Sequence, residues 1–295
     1  MSTETEFLFE INELKKGNYK NVLNGETLKS FEIFSKEANW KEVNSISHSM
    51  QLYLYDLFEI DIKKGLTMLH YLLGGFPGHK YTSLFTCMYD VITTQRMSLN
   101  VETKIDFDYL NDEAKDTLQS LIINAFFRWI CVVFETYRKF LVFDLFCLKE
   151  TLGKSWKIEN LFYNGNPCQM LKDHSQIQSK PLIDAYKGAT RHSISHGNIF
   201  IIQNETKIHK IIVQETNDSK TAFIRKEYKN LLDLHKNEEP ITYVLSEAMR
   251  LFILIIFEHI SFKYNNLIHK YLGDITYTDP IMIQIFNNIR VGKFY

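Results

Sequence analysis

The segment that most constrains this fold is residues 111–152. Asn111-Asp112-Glu113 places acidic side chains where a helix N-terminus is electropositive, and the apolar pattern then runs without a stop signal to Gly153. Around residues 122–134 the apolar positions cover most of the helical circumference, which predicts a central and largely buried helix. A chain organised on such a helix reads as mainly α. With 295 residues, 45% of them hydrophobic, it has length and apolar content for a sizeable core in one large domain or two small ones.

Around that helix, shorter helices are expected at 7–14, 27–38, 43–58 and 83–97, with a Gly/Pro loop at 73–79. After a second loop at 163–167, a helix is predicted to start at Ser179 or Pro181 and to run through Ile183, Tyr186 and Ala189 to His196-Gly197. Pro181 suits a first turn and Gly197 a C-cap. The periodicity then changes to β-branched runs at 199–203 and 207–213 joined by Asn204-Glu205-Thr206, which reads as a hairpin, with a third short strand at 221–224. A closing amphipathic helix is expected over 241–265. The division this suggests is an N-terminal helical region at 1–105, a second domain at 106–272 and a tail at 273–295.

Net charge is −1, so any contact with nucleic acid must come from a local basic patch. The 14% aromatic content reads first as core, with base stacking as the alternative. Cys87, Cys131, Cys147 and Cys168 form no CxxC pair and read as free thiols in a reducing compartment. The acidic N-terminus lacks a signal-peptide pattern, and the strongly apolar segments at 118–134 and 251–257 fall short of a clean membrane span. A cytoplasmic protein without a membrane contact is the expectation.

The chain holds no P-loop, GxSxG, HExxH or GxGxxG motif. Its densest group of acid–base side chains is Arg191-His192-Ser193-Ile194-Ser195-His196-Gly197. A histidine titrates near neutral pH and can take or give a proton, and a guanidinium can hold a phosphate oxygen with two hydrogen bonds. Each residue has a plainer reading. His196 could interact with helix-end carbonyls, Arg191 could be salt-bridged, and Lys187, Ser193 and Ser195 could be solvated. His192 and His196, four apart, could share a metal ion, but no third ligand lies in the same helix. No metal and no cofactor are therefore expected.

The stretch Arg191-x4-His196-Gly197 resembles the hallmark of the HEPN superfamily, helical domains found in ribonucleases, toxins and defence proteins. The resemblance spans roughly residues 111–268: long helix, motif helix, hairpin and closing helix. It implies a HEPN-like helical bundle with a β-hairpin inserted after the motif helix, and a metal-independent endoribonuclease acting as a toxin or anti-phage effector. It also implies a homodimer, with RNA as substrate and an antitoxin or defence-system protein as partner. Arg191 and His196 would be catalytic, while Lys187, His192 and Ser195 would contact the RNA. Glu135, Arg138 and Asp144 are candidates for an additional polar residue beside the motif. The alternative is a noncatalytic module of the same type that dimerises or binds a nucleotide or partner.

Overall fold

Asn111 does cap the long helix: its Oδ1 accepts the Ala114 amide at 2.8 Å. In this computed structural model the chain is described at residues 2–76, 83–103, 111–158, 161, 167–186, 199–204, 207–216, 223–273, 283–284, 286–287 and 289. The helices are α1 (Thr3–Lys15), α2 (Tyr19–Val22), α3 (Gly25–Phe34), α4 (Trp40–Ile60), α5 (Ile62–Gly74), α6 (Leu84–Thr103), α7 (Asp112–Leu152), α8 (Pro167–His174) and α9 (Gln176–Ala185). Strands β1 (Ile199–Asn204), β2 (Lys207–Thr216) and β3 (Phe223–Tyr228) follow. The chain continues into α10 (Leu231–Ile253), a π-helical segment (Leu254–Phe262) and α11 (Asn265–Leu272). The protein is mainly helical with one small antiparallel sheet.

Helix α7 ends as its sequence demands. Gly153 takes φ +62, and Lys154 and Gly153 donate their amides back to the carbonyls of Lys149 and Glu150, a Schellman arrangement. Burial along α7 is most complete from Phe140 to Leu145, six successive residues with no exposed surface. The 122–134 stretch is less enclosed than its composition suggests: Asn124 and Arg128 are exposed.

Two compact units are interleaved along the chain. The first comprises residues 1–89, 136–185 and 244–295. In it, α1 and α5 pack on α4, α9 packs on α4 and α8, and α11 packs on α5. Aromatic rings fill its core: Phe7 meets Phe58 and Tyr264 edge-on at 5.0 and 4.9 Å, and Phe252 meets Phe140 edge-on at 5.3 Å.

The second unit comprises residues 90–135 and 186–243 and carries the sheet. Strand order is β1-β2-β3, antiparallel throughout, with Ile201 opposite Ile211 and Ile211 opposite Tyr228. Ile211 and Val213 are buried on one face of β2, which fixes the register, because a one-residue slip would turn both outward. The expected hairpin is thus present, and the third strand starts at Phe223 and extends to Tyr228.

Helices α1, α3 and α4 begin two to four residues before the expected positions, α2, α5 and α8 are additional to those expected, and the starts of α9 and α10 also differ. Helix α9 begins at Gln176, where the Ser175 carbonyl accepts the Ser179 amide, so Pro181 lies inside the helix and not in its first turn. It also ends at Ala185, with Tyr186 outside it. The Leu182 carbonyl, one of the last four that lack an intrahelical donor, is satisfied by the Tyr137 hydroxyl at 2.9 Å. Helix α10 begins at Leu231, ten residues early, because Asn230 and Asp233 cap it reciprocally. Asn230 Oδ1 accepts the Asp233 amide and Asp233 Oδ2 accepts the Lys229 amide, both at 2.9 Å. Pro240 is carried inside this helix at the loss of one backbone bond. Among the described residues one helix, Asp233–Phe262, is long and apolar enough to cross a membrane, and most of its apolar stretch is buried within the protein.

Candidate functional site

The residues singled out by sequence, Lys187, Arg191, His192, Ser195 and His196, all lie outside the described residues. The anchors on either side of them are described. Tyr186 precedes the segment and rests half-buried with its ring 6.4 Å from that of Phe134 on α7. Ile199 follows it and pairs with Val213 as the first residue of β1. Both anchors belong to the second unit. Of the additional polar candidates, Glu135 is half-buried in this unit, whereas Arg138 and Asp144 are buried in the first.

Among the described residues of the second unit, His235 is an acid–base group that the sequence alone does not single out. Its ring stacks on Phe126 at 3.9 Å and 16°, and its Nδ1 lies 4.0 Å from Glu239 one helical turn on. Burial disfavours its charged form and lowers its pKa. The i, i+4 spacing of His235 and Glu239 is readable from sequence once the helix start at 231 is known. The stacking on Phe126 is not. Beside it, buried Glu238 accepts the Tyr228 hydroxyl at 2.5 Å and lies 3.6 Å from Lys226, tying β3 to α10.

In the first unit three polar groups stand out among the described residues, one half-buried and two buried. Glu10 on α1 receives His259 Nε2 at 3.0 Å and the Tyr264 hydroxyl at 2.5 Å on one oxygen, and Lys263 on the other. Burial alone would raise its pKa, but the hydrogen bonds from His259, Lys263 and Tyr264 outweigh that and hold it down to about 2. His259 lies in the π-helical segment, a geometry that recurs at functional sites. Here both Glu10 oxygens are engaged, so the cluster clamps α1 to the π-helical segment and its junction with α11.

The second group is a network about Gln51, which accepts the Tyr55 hydroxyl and donates to Ser47, while Tyr19 bonds His48 at 2.7 Å. These bonds leave it satisfied and structural. The third is Asp144, fully buried with neither carboxylate oxygen hydrogen-bonded, and burial pushes its pKa well above the ordinary value.

Among the described residues no three His, Cys, Asp or Glu side chains converge as a metal site. All four cysteines are free thiols. Compared with family models, with curated proteins and with solved structures, the chain matches none.

Proposed function

We propose that this protein is a metal-independent endoribonuclease of the HEPN type, with Arg191 and His196 as its catalytic pair. The observation that carries the reading is the Arg191-x4-His196-Gly197 stretch, set between Tyr186 beside the long helix α7 and the β1–β2 hairpin. The buried central helix, the antiparallel hairpin and the capped α10 support the helical-bundle part of it.

The chemistry follows from the residue types. His196 removes the proton from an RNA 2′-hydroxyl, which attacks the adjacent phosphate and displaces the 5′-oxygen of the next nucleotide. A protonated histidine returns a proton to that leaving oxygen. Arg191, always charged, holds a nonbridging phosphate oxygen and stabilises the charge that grows on it in the transition state. Lys187, His192 and Ser195 contact the RNA backbone. Two copies related by a two-fold axis would bring two such pairs into one cleft. The reading includes a cytoplasmic role as a toxin or anti-phage effector, held in check by a partner protein.

The test is cleavage of total RNA by the purified protein in the presence of a chelator, beside Arg191→Ala and His196→Ala. Each substitution is expected to slow cleavage on the order of a hundredfold or more while the chelator changes nothing. Cleavage that requires a divalent cation, or that survives both substitutions, overturns the mechanism.

A further inference from the structure

We propose that Cys87 and Lys139 form a redox-dependent cross-link: a peroxide oxidises the Cys87 thiol, and the Lys139 amine then closes on the sulfur as a sulfenamide, joining α6 to α7. The proposal stands apart from the ribonuclease reading and uses none of its residues.

The two side chains meet without rearrangement. Lys139 Nζ donates to Cys87 Sγ at 3.2 Å, across 52 residues of sequence. Reacting atoms held at about 3–3.5 Å are already close to bonding geometry. Both ends of the pair are fixed within the first unit. Cys87 lies in the first turn of α6, where its amide donates to the Ser83 carbonyl at 3.0 Å. Ser83 caps that turn, its Oγ accepting the Thr86 amide and donating to the Leu73 carbonyl at 2.7 Å. Leu84, Phe85 and Met88 around Cys87 have no exposed surface, and neither have Phe140 and Leu141 beside Lys139.

Access selects the chemistry. Cys87 is 8% exposed and Lys139 is half-buried. So slight an opening favours a small oxidant over a bulky thiol, and it leaves the amine as the group in contact with the oxidised sulfur. Cys147 and Cys168 compete poorly. Burial pushes the Cys147 thiol well above its ordinary pKa and the Cys168 thiol up to about 12, and the thiolate is the form that reacts.

The Cys87 thiolate attacks one oxygen of hydrogen peroxide, so that S–O forms and O–O breaks. Sulfur gives up an electron pair, the peroxide is reduced, and Cys87 becomes a sulfenic acid. The departing hydroxide takes a proton from the Lys139 ammonium and leaves as water. The amine freed by that transfer attacks the sulfenic sulfur: S–N forms, S–O breaks, and the second hydroxide leaves as water with the surplus proton on nitrogen. Sulfenic acids condense with nitrogen in this way without a further oxidant. A reducing thiol reverses the bond by attacking sulfur and releasing the amine, and a second thiol then reduces the mixed disulfide.

The experiment is peptide mapping by mass spectrometry, without reductant, on the full chain treated with hydrogen peroxide. The expected result is a linked pair of peptides carrying Cys87 and Lys139, lighter by two hydrogens than their sum, which dithiothreitol separates. Trypsin should no longer cut after Lys139 in that species. Cys87→Ser and Lys139→Arg should each abolish the linked pair, the second because it keeps the positive charge but removes the amine. Cys87 carried on to sulfinic acid with Lys139 left free overturns the proposal, and so does Cys87 left unoxidised. A linked pair heavier by one oxygen would make the bond S–O–N and overturn the sulfenamide. Should a variant not fold, the native protein still decides, because the linked peptides are read from it directly.

Discussion

Asp144 is a fully buried carboxylate and Glu10 a half-buried one, and their surroundings drive them in opposite directions. Neither carboxylate oxygen of Asp144 is hydrogen-bonded, and burial pushes its pKa well above the ordinary value. Its folded pKa lies above the unfolded value, so its contribution is intact below about pH 4 and is lost as pH rises, when the unfolded chain ionises and the fold must not. Asp144→Leu is therefore expected to stabilise the protein at pH 7 by roughly 1–3 kcal/mol, with the gain shrinking towards pH 4. Urea titrations at the two pH values check this, and an equal shift at both would contradict it. Glu10 is the reverse case, with a pKa depressed to about 2. It contributes stability above its unfolded value of 4.5, lost as pH falls towards 2. Glu10→Gln should cost on the order of 2 kcal/mol at pH 7 and little at pH 2.5, read from the same titrations. Neither behaviour was legible in sequence. In sequence Asp144 reads only as a possible neighbour of the motif, and the convergence of His259, Lys263 and Tyr264 on Glu10 spans nearly the whole chain.

At the scale of elements, close approach and capping decide more than propensity. Helices α4 and α5 meet at Gly65, where an added Cβ would lie 2.3 Å from Cδ1 of the buried Phe58 ring. That ring is held edge-on by Phe7 at 5.0 Å and cannot swing aside. Gly65→Ala gains roughly 1 kcal/mol of helix propensity but forces overpacking that costs about 1–3 kcal/mol. A lower denaturation midpoint is expected, and a raised one would show that the helices can separate. The sequence made α7 legible at both ends, because Asn111 and Gly153 are local signals. The hairpin was legible too, because its aliphatic alternation is local. The start of α9 lies upstream of Pro181, which reads as a first-turn residue, because the chain already turns helical at Ser175, and the start of α10 is set by the Asn230–Asp233 pair, ahead of the apolar periodicity that begins at 241. The Leu182 carbonyl in the last turn of α9 is taken by the Tyr137 hydroxyl, 45 residues away in sequence, and no local pattern announces that contact.

At the scale of the whole molecule, residues 1–89 fold with segments from the middle and the end of the chain, and hydrophobic periodicity does not reveal which segments return to one another. Of the candidate site, the sequence supplies the residue types and the structure supplies Tyr186 and Ile199 on either side of them. With a net charge of −1, RNA would be held by the local group Lys187, Arg191 and His192, so affinity should fall with salt in proportion to few phosphate contacts. The central claim is that the 2′-hydroxyl of the substrate is the nucleophile. It is tested most directly by the chemistry of the cut ends on a defined RNA, in chelator, beside the same RNA with 2′-deoxy residues. The account predicts 2′,3′-cyclic phosphate and 5′-hydroxyl ends, and no cleavage at deoxy positions. Ends bearing 5′-phosphate, or cleavage of the deoxy substrate, would contradict it.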